Sequence, residues 1–591
     1  MKESEVSYPA ASSLDHYLGD PCLTSNDISF ASIMERDEAD CFPETMISRL
    51  MEWGFGAYNV PEQWGGSLKN LDELLALVRV VVRRDLSVMP GIQLSFPGMI
   101  TIAQAGTEAQ KQELAQMLPS GACISFALSE EKHGCNLLNG EMVATASGSD
   151  YILDGSKWYV GMGSRSDALV VMARTGDRGP TAFSLFLLDK RNPDVRAALS
   201  CSAPLKTVGM RGMEFCNIEL KNCRVPQSAL IGHKGSGFEL VAKTQQPNKV
   251  MSLAAGLGCL DSALRTTLDF TRNRLLKNTA IVQIPHVRLR LVTSFANLLL
   301  CDAITTAAAR SLHVLPEQAS VWSSAAKYSV PAVCSRAMDS LSWAMGARSY
   351  MREGHMYGLF SKLVRDAGIL RVIDTNAISN LQVITSQLLS LARYHRGPAE
   401  PAVWSHLSEI FDTTRELPPF KPYELSLINR GHDDVLNGLA TCIESLQLLE
   451  PNQVPLKPLL LQLGEELVNQ VDWLFSEVER LKQSLGPTYS ASPKLLELAR
   501  RYSDLHGCAA AFHFWTHDRQ NIAPQLANGA WLAICLDETL ANLNGYRCPL
   551  DAEVYEDVAT TLFQFDDQNL MFSLLPFTLA PKGAAQQFGR S

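Results

Sequence analysis

The chain has 591 residues, 46% hydrophobic and 19% charged, which is too long for one compact core and too apolar for a disordered chain. Its 52 basic residues against 62 acidic ones leave a net charge of -10, which excludes a broadly basic nucleic-acid binder. Apolar runs such as Leu74–Val78 and Leu298–Cys301 are soon interrupted, well short of the roughly 18 residues of a membrane span.

The opening MKESEVSYPAASS lacks the plan of a signal or transit peptide, so a cytoplasmic location is expected. Residues 44–119 then show helical spacing, interrupted at VPEQWGGS, where Pro61 and the Gly65–Gly66 pair stop one helix before Leu71 opens the next. From about 121 to 228 the pattern changes to short β-branched and aromatic runs bounded by glycine and aspartate, which predicts an antiparallel barrel or sandwich. Helical spacing returns near 236 in long amphipathic stretches. PAEPAVW and ELPPFKPYE read as a linker over 398–424, and 425–591 as an added helical region. The expected divisions are 1–120, 121–235, 236–397, 398–424 and 425–591.

The 14 cysteines form no CxxC pair and read as reduced, largely buried thiols. Phosphate-loop, dinucleotide, nucleophile-elbow and zinc fingerprints are all missing. GHKGSGF (232–238) predicts a strand-to-helix turn, and His513 and His517, four apart on a helix, find no obvious third ligand, so no metal is expected.

Six segments in order resemble the acyl-CoA dehydrogenase family: GFGAYNVPEQWGG, GTEAQKQELAQMLPSGACISFALSEEKHGCN, GSKWYVGMGSRSDALVVMART, KTVGMRGMEFCNIELKNCRVPQSALIG, WAMGARSY and LVRDAGILRVIDTNAIS. The resemblance spans about 50–395. It implies an α+β, mostly helical fold: an N-terminal helical domain, a middle β-barrel and a C-terminal four-helix bundle. The added helices loosely resemble those of acyl-CoA oxidases. It further implies an FAD-dependent enzyme that desaturates an acyl thioester at Cα–Cβ, carried on CoA or an acyl carrier protein. Electrons would pass to an electron-transfer flavoprotein or oxygen, in a homodimer or homotetramer with no nucleic acid and no membrane span.

Carried over position by position, the resemblance places Leu128, Ser129, Tyr159, Val160, Gly161, Arg274, Gly346, Thr375 and Asn376 around the flavin, and Cys135, Asn248 and Lys249 near the substrate. Ser129 keeps the hydroxyl of the family threonine, Tyr159 keeps an aromatic surface in place of tryptophan, and Gly161 loses the threonine hydroxyl that reaches flavin N5. Arg274 matches an arginine that meets the cofactor pyrophosphate across a subunit interface, but Lys277, Asn278, Pro285 and Trp343 replace family residues nearby. Counting from Arg365–Asp366–Ala367 puts the catalytic glutamate position at Asp374. Aligning on DTNAI instead leaves Ile373 there, so Asp374 is either a base one methylene short or a solvated helix cap. An alternative base position in the family falls at Asn248, which accepts no proton. His133 reads as an exposed loop histidine or a contact for a pantetheine arm. Two rival readings follow from these departures: a catalytically impaired family member serving as a binding or assembly subunit, and a flavin enzyme with different chemistry in the same pocket.

Overall fold

The computed structural model describes residues 8–395, 402–450 and 453–583. The N-terminal helices are α1 (Pro9–Leu18), α2 (Phe30–Glu38), α3 (Glu44–Trp53), α4 (Leu71–Val82), α5 (Ser95–Ala105) and α6 (Glu108–Met117). Leu71 does open a helix after the Gly65–Gly66 turn. A reciprocal capping box fixes the start of α6: Gln110 N–H donates to Thr107 Oγ1, and Thr107 N–H to the Gln110 side chain.

The strands follow as β1 (Ile124–Ala127), β2 (Val143–Ser147), β3 (Asp150–Gly161), β4 (Ala168–Arg174), β5 (Phe183–Asp189), β6 (Leu199–Cys201), β7 (Phe215–Pro226) and β8 (Leu230–Ile231). They form one sheet in the order β6-β7-β3-β2-β4-β5-β8, with β1 added parallel to β4. Alternate residues such as Leu153, Leu169, Val171, Phe186, Ile218 and Leu220 enclose a core separate from that of the helices.

GHKGSGF is the turn expected from β8 into α7 (Gly237–Ser252). The bundle continues with α8 (Ala254–Asn273), α9 (Pro285–Val314), α10 (Ala319–Met345), α11 (Leu359–Ala367) and α12 (Ala377–His395). The continuous run Leu86–Ala105 and helix α9 have the length and hydropathy of membrane spans, but 83% and 89% of their apolar windows are buried in the protein. Their apolarity reflects coverage on all sides.

Residues 398–401 of the expected linker lie outside the described residues. Its remainder holds α13 (Val403–Phe411) and an irregular stretch fastened to the bundle: Arg310 donates to main-chain oxygens of residues 409–415, and His313 Nδ1 bonds Pro418 O at 2.7 Å. The added helices α14 (Leu439–Gln447), α15 (Lys457–Leu485), α16 (Pro493–Asp518), α17 (Ala530–Asn544) and α18 (Ala552–Asp567) share one continuous hydrophobic core with the bundle. α16 packs against α9, α10 and α12. Gly507 permits a close approach to α9, since a Cβ would lie 2.9 Å from Ile304 Cδ1. Beyond α18 the chain returns to α1 and to the bundle helices α8 and α9. Ala580 N–H donates to Asp15, Phe572 N–H to Asp261, and Ser573 and Leu574 to Asp302.

Candidate active site

The strand side of the site is built at an irregularity. β3 and β7 pair with two register shifts, one between Leu153 and Gly155 and one between Lys157 and Val160. Such a bulge turns side chains out of the ladder. Here Trp158 N–H donates to Ser129 O at 2.8 Å, which fastens the bulge to the end of β1. Tyr159 takes φ +59°, its N–H donates to Asn217 Oδ1, and its ring stacks on Phe215 with centroids 4.5 Å apart and planes 5° apart. Val160 is buried in the strand core.

The loop after β1 hangs on Glu130. Its carboxylate accepts from the buried Lys157 ammonium at 2.8 Å and from Glu141 N–H and Met142 N–H. This carboxylate and lysine are 8% and 2% exposed. Their pairing holds Glu130 below the usual carboxylate range even though burial pushes the other way. Leu128 and Ser129, immediately before, are half-buried, and Ser129 Oγ has no hydrogen-bond partner among the described residues. His133 is not free in its loop, since Nε2 lies 3.2 Å from Glu141.

Gly161 faces Leu94, at the entry to α5: a Cβ on Gly161 would sit 2.8 Å from Leu94 Cδ1. The space of the missing threonine side chain is therefore occupied by a leucine. Arg274 is exposed at the end of α8, where a hairpin begins, and its guanidinium has no partner among the described residues. Lys277 and Asn278 both have positive φ, the two-residue turn that matches the strand twist. Pro285 sits at the first position of α9, where its missing N–H is harmless. Gly346 ends α10 with φ +58° and is exposed.

On the helical side, Asp374 and Thr375 both have positive φ, +50° and +78°. The reading of Asp374 as a solvated cap does not hold. The residue that caps α12 is Asn376, whose Oδ1 accepts from Ser379 N–H. Asp374 instead turns to α7 and accepts a hydrogen bond of 2.7 Å from Asn248 Nδ2. Burial raises its pKa, while Lys327, the Asn248 amide and Lys249 pull it back down. Pro247, inside α7 just before Asn248, lacks the N–H of a regular helical residue. Asn376 Nδ2 lies 3.8 Å from Cys135 Sγ, which joins this loop to the one that follows Glu130. Val208–Met210 seal the strand domain onto α11: Arg365 donates to Val208 O, and Met210 N–H to the buried Asp366.

The structure thus gathers Asp374, Asn248, Asn376 and Cys135 in one place, and Ser129, Tyr159, Val160 and Gly161 around the β1–β3 junction. Arg274 and Gly346 lie at exposed ends of bundle helices. Sequence reasoning missed Leu94, Glu130, Lys157, Phe215, Asn217 and Lys327. Glu130 and Lys157 lie inside the motifs, directly beside Ser129 and Trp158, and that adjacency was the available signal. Leu94 and Lys327 carry no local signal.

Sequence models of three acyl-CoA dehydrogenase domains match the chain: the N-terminal domain over residues 29–122, the middle domain over 125–223 and the C-terminal domain over 235–388. The probable acyl-CoA dehydrogenase FadE25 of Mycobacterium tuberculosis is 29% identical over 244 residues, 41% of this chain and 61% of that one. The chain therefore spans less than two thirds of that relative's length. The mitochondrial isobutyryl-CoA dehydrogenase of Dictyostelium discoideum is 26% identical over 358 residues, 60% of this chain and 83% of that one. Among solved structures, butyryl-CoA dehydrogenase from Megasphaera elsdenii superposes with a TM-score of 0.58 at 19% identity, over 64% of this chain and 97% of that one. The prolyl acyl carrier protein oxidase AnaB gives 0.59 at 19% identity, over 65% and 98%. At such identities the structural likeness is one of fold.

Proposed function

Because the chain belongs to the acyl-CoA dehydrogenase family, a family of FAD-dependent flavoprotein oxidoreductases, we propose that it removes hydrogen across Cα–Cβ of an acyl thioester with Asp374 as the base. The observation that carries this reading is the 2.7 Å hydrogen bond from Asn248 to Asp374. These are the two places from which the family is expected to present a carboxylate. Here the amide at one orients the carboxylate at the other. Asp374 is half-buried, and burial raises its proton affinity above that of a free aspartate, which brings a carboxylate closer to the strength that α-proton removal needs.

The residues present fit FAD. Ser129 offers an unpartnered hydroxyl, the Tyr159 ring is held by Phe215, and Arg274 offers a free guanidinium for a pyrophosphate. Arg274 lies on the surface, which suits a cofactor closed over by a second subunit in a homodimer or homotetramer. FAD, when bound, supplies the hydride acceptor. Around it the chain positions the thioester, excludes water with Leu94 and Phe215, and holds the abstracted proton on Asp374. Cys135 and Asn376 line the approach of the acyl carrier, CoA or acyl carrier protein. Electrons then leave to an electron-transfer flavoprotein or to oxygen.

The test is anaerobic addition of butyryl-CoA, and separately butyryl acyl carrier protein, to the FAD-loaded protein. One of them is expected to bleach the flavin band, and Asp374→Asn to slow bleaching by about 100-fold or more. A purified protein that takes up no FAD overturns the flavoenzyme reading. Bleaching at an undiminished rate in Asp374→Asn overturns the base assignment alone.

A further inference from the structure

Behind Asp374 lie two lysines that the family reaction does not call for. Lys249 on α7 and Lys327 on α10 are 5% and 3% exposed. Each ammonium donates to a hydroxyl on the other helix, Lys249 Nζ to Ser324 Oγ at 3.1 Å and Lys327 Nζ to Ser252 Oγ at 2.8 Å. Ser324 and Ser252 give their own protons to main-chain oxygens within their own helices. Both hydroxyls are thus free to accept, and the two crossed tethers fix the amines between α7 and α10. The charged groups that act on Lys249 are Lys327 and Asp374, and the one that acts on Lys327 is Asp374. Two buried cations therefore share one carboxylate, which neither of them contacts as an ion pair.

That arrangement is unfavourable for folding alone, since a buried ammonium held by one hydroxyl and no contacting carboxylate regains little of its lost hydration. Burial pushes Lys249 down to about 7 and Lys327 down to about 8. Asp374 gains what the lysines lose. Lys327 and Lys249 both favour its charged form, with the Asn248 amide between them in strength. A direct ion pair would occupy the carboxylate oxygens. Cations set back from it act on its charge and leave an oxygen free for a proton.

We infer that Lys327 and Lys249 are positioning residues for the reaction, which act on the Asp374 carboxylate through the field of their ammonium groups and not by contact. The inference rests on Asp374 being the base. It predicts a separable effect of the lysines on when that base is ready. A lysine-to-methionine change keeps the length of the side chain and removes its charge.

The experiment is the pH dependence of flavin bleaching by whichever butyryl thioester reduces the FAD-loaded protein, in wild type, Lys327→Met, Lys327→Arg and Lys249→Met. Loss of either cation is expected to move the acidic limb up by about one pH unit, a roughly tenfold slower reaction on that limb. Lys327→Arg is expected to restore the wild-type limb. The melting temperature of Lys327→Met is expected to be no lower than that of wild type, which separates the effect from misfolding. If the methionine variants bleach with an unmoved limb while Asp374→Asn is inactive, the inference fails and the base assignment stands. If Asp374→Asn bleaches normally, the base assignment fails and takes the inference with it. The same holds if neither thioester bleaches the flavin.

Discussion

Leu94 and Gly161 share one space, so neither can be changed alone without a volume error. Gly161→Thr would restore the family hydroxyl but drive its side chain into Leu94. Overpacking of this kind costs about 1–3 kcal/mol. Pairing it with Leu94→Ala is expected to recover most of the loss, read as melting temperatures of the single and double variants. Glu130→Gln is expected to be more damaging, by about 3–5 kcal/mol, since it leaves the Lys157 ammonium buried without its carboxylate. Thr375 holds φ +78°, where a glycine is unstrained. Thr375→Gly is therefore expected to relieve about 1 kcal/mol of strain, offset in part by the freer unfolded chain. At this scale the sequence was informative where a motif named the position. Asp374 and Asn248, each named by a motif, meet in the structure. The contact between Asp374 and Asn248, residues 126 apart, and the leucine that fills the Gly161 space depend on packing between distant segments, which no local pattern records.

Among the elements, α16 carries three histidines on its covered side. His506 meets Trp322 edge-on, His513 stacks on Phe411 and His517 lies tilted against Trp404. Burial disfavours the charged imidazole and pushes His513 down to about 3 and His517 to about 4. Both values lie below the ordinary 6.5, so the unfolded chain binds protons that the folded one refuses. Their contribution to stability is complete above pH 6.5 and falls as pH drops toward the folded values. Between pH 6.5 and 5, His513 alone accounts for about 2 kcal/mol. Urea unfolding followed at the two pH values is expected to show this loss, and His513→Gln a flatter dependence. The order of helices, strands and further helices was legible because periodicity changes from 3.6 to 2 and back. The bulge that sets Tyr159 was not, because the run DYILDGSKWYVG reads as one uninterrupted strand. The histidines gave only an i, i+4 spacing, which a buried face and a metal site share.

Across the whole molecule, the added helices and the bundle are one body, because a single core runs through both. Buried charges gather where the last segment meets the first helices and the bundle. Arg79 pairs with Asp302 at 2.7 Å and also donates to Phe572 O, while Arg83 and Arg84 reach Asp15 at 3.1 and 2.8 Å. The final segment answers the same acids with main-chain N–H groups. Deleting residues 569–583 is expected to leave Asp15, Asp261 and Asp302 short of donors and to abolish a single cooperative thermal transition, read by circular dichroism. The presence of added helices was visible in the sequence as helical spacing beyond 425, although a helix already forms at Val403–Phe411. The return of the final segment to the first helices was not, since the acids and the groups that satisfy them lie hundreds of residues apart.

That return sets an order of events during synthesis. Arg79, Arg83, Arg84 and Asp15 are made among the first hundred residues, whereas Phe572 and Ala580 are among the last. At about 5–20 residues per second, the ribosome needs roughly 25–100 s to travel between them. Over that interval Arg83, Arg84 and Asp15 have one another, but Arg79 lacks the Phe572 carbonyl and Asp15 the Ala580 N–H. The native arrangement of the N-terminal region is therefore closed only once residues 569–583 have been made, and cannot be completed domain by domain as translation proceeds.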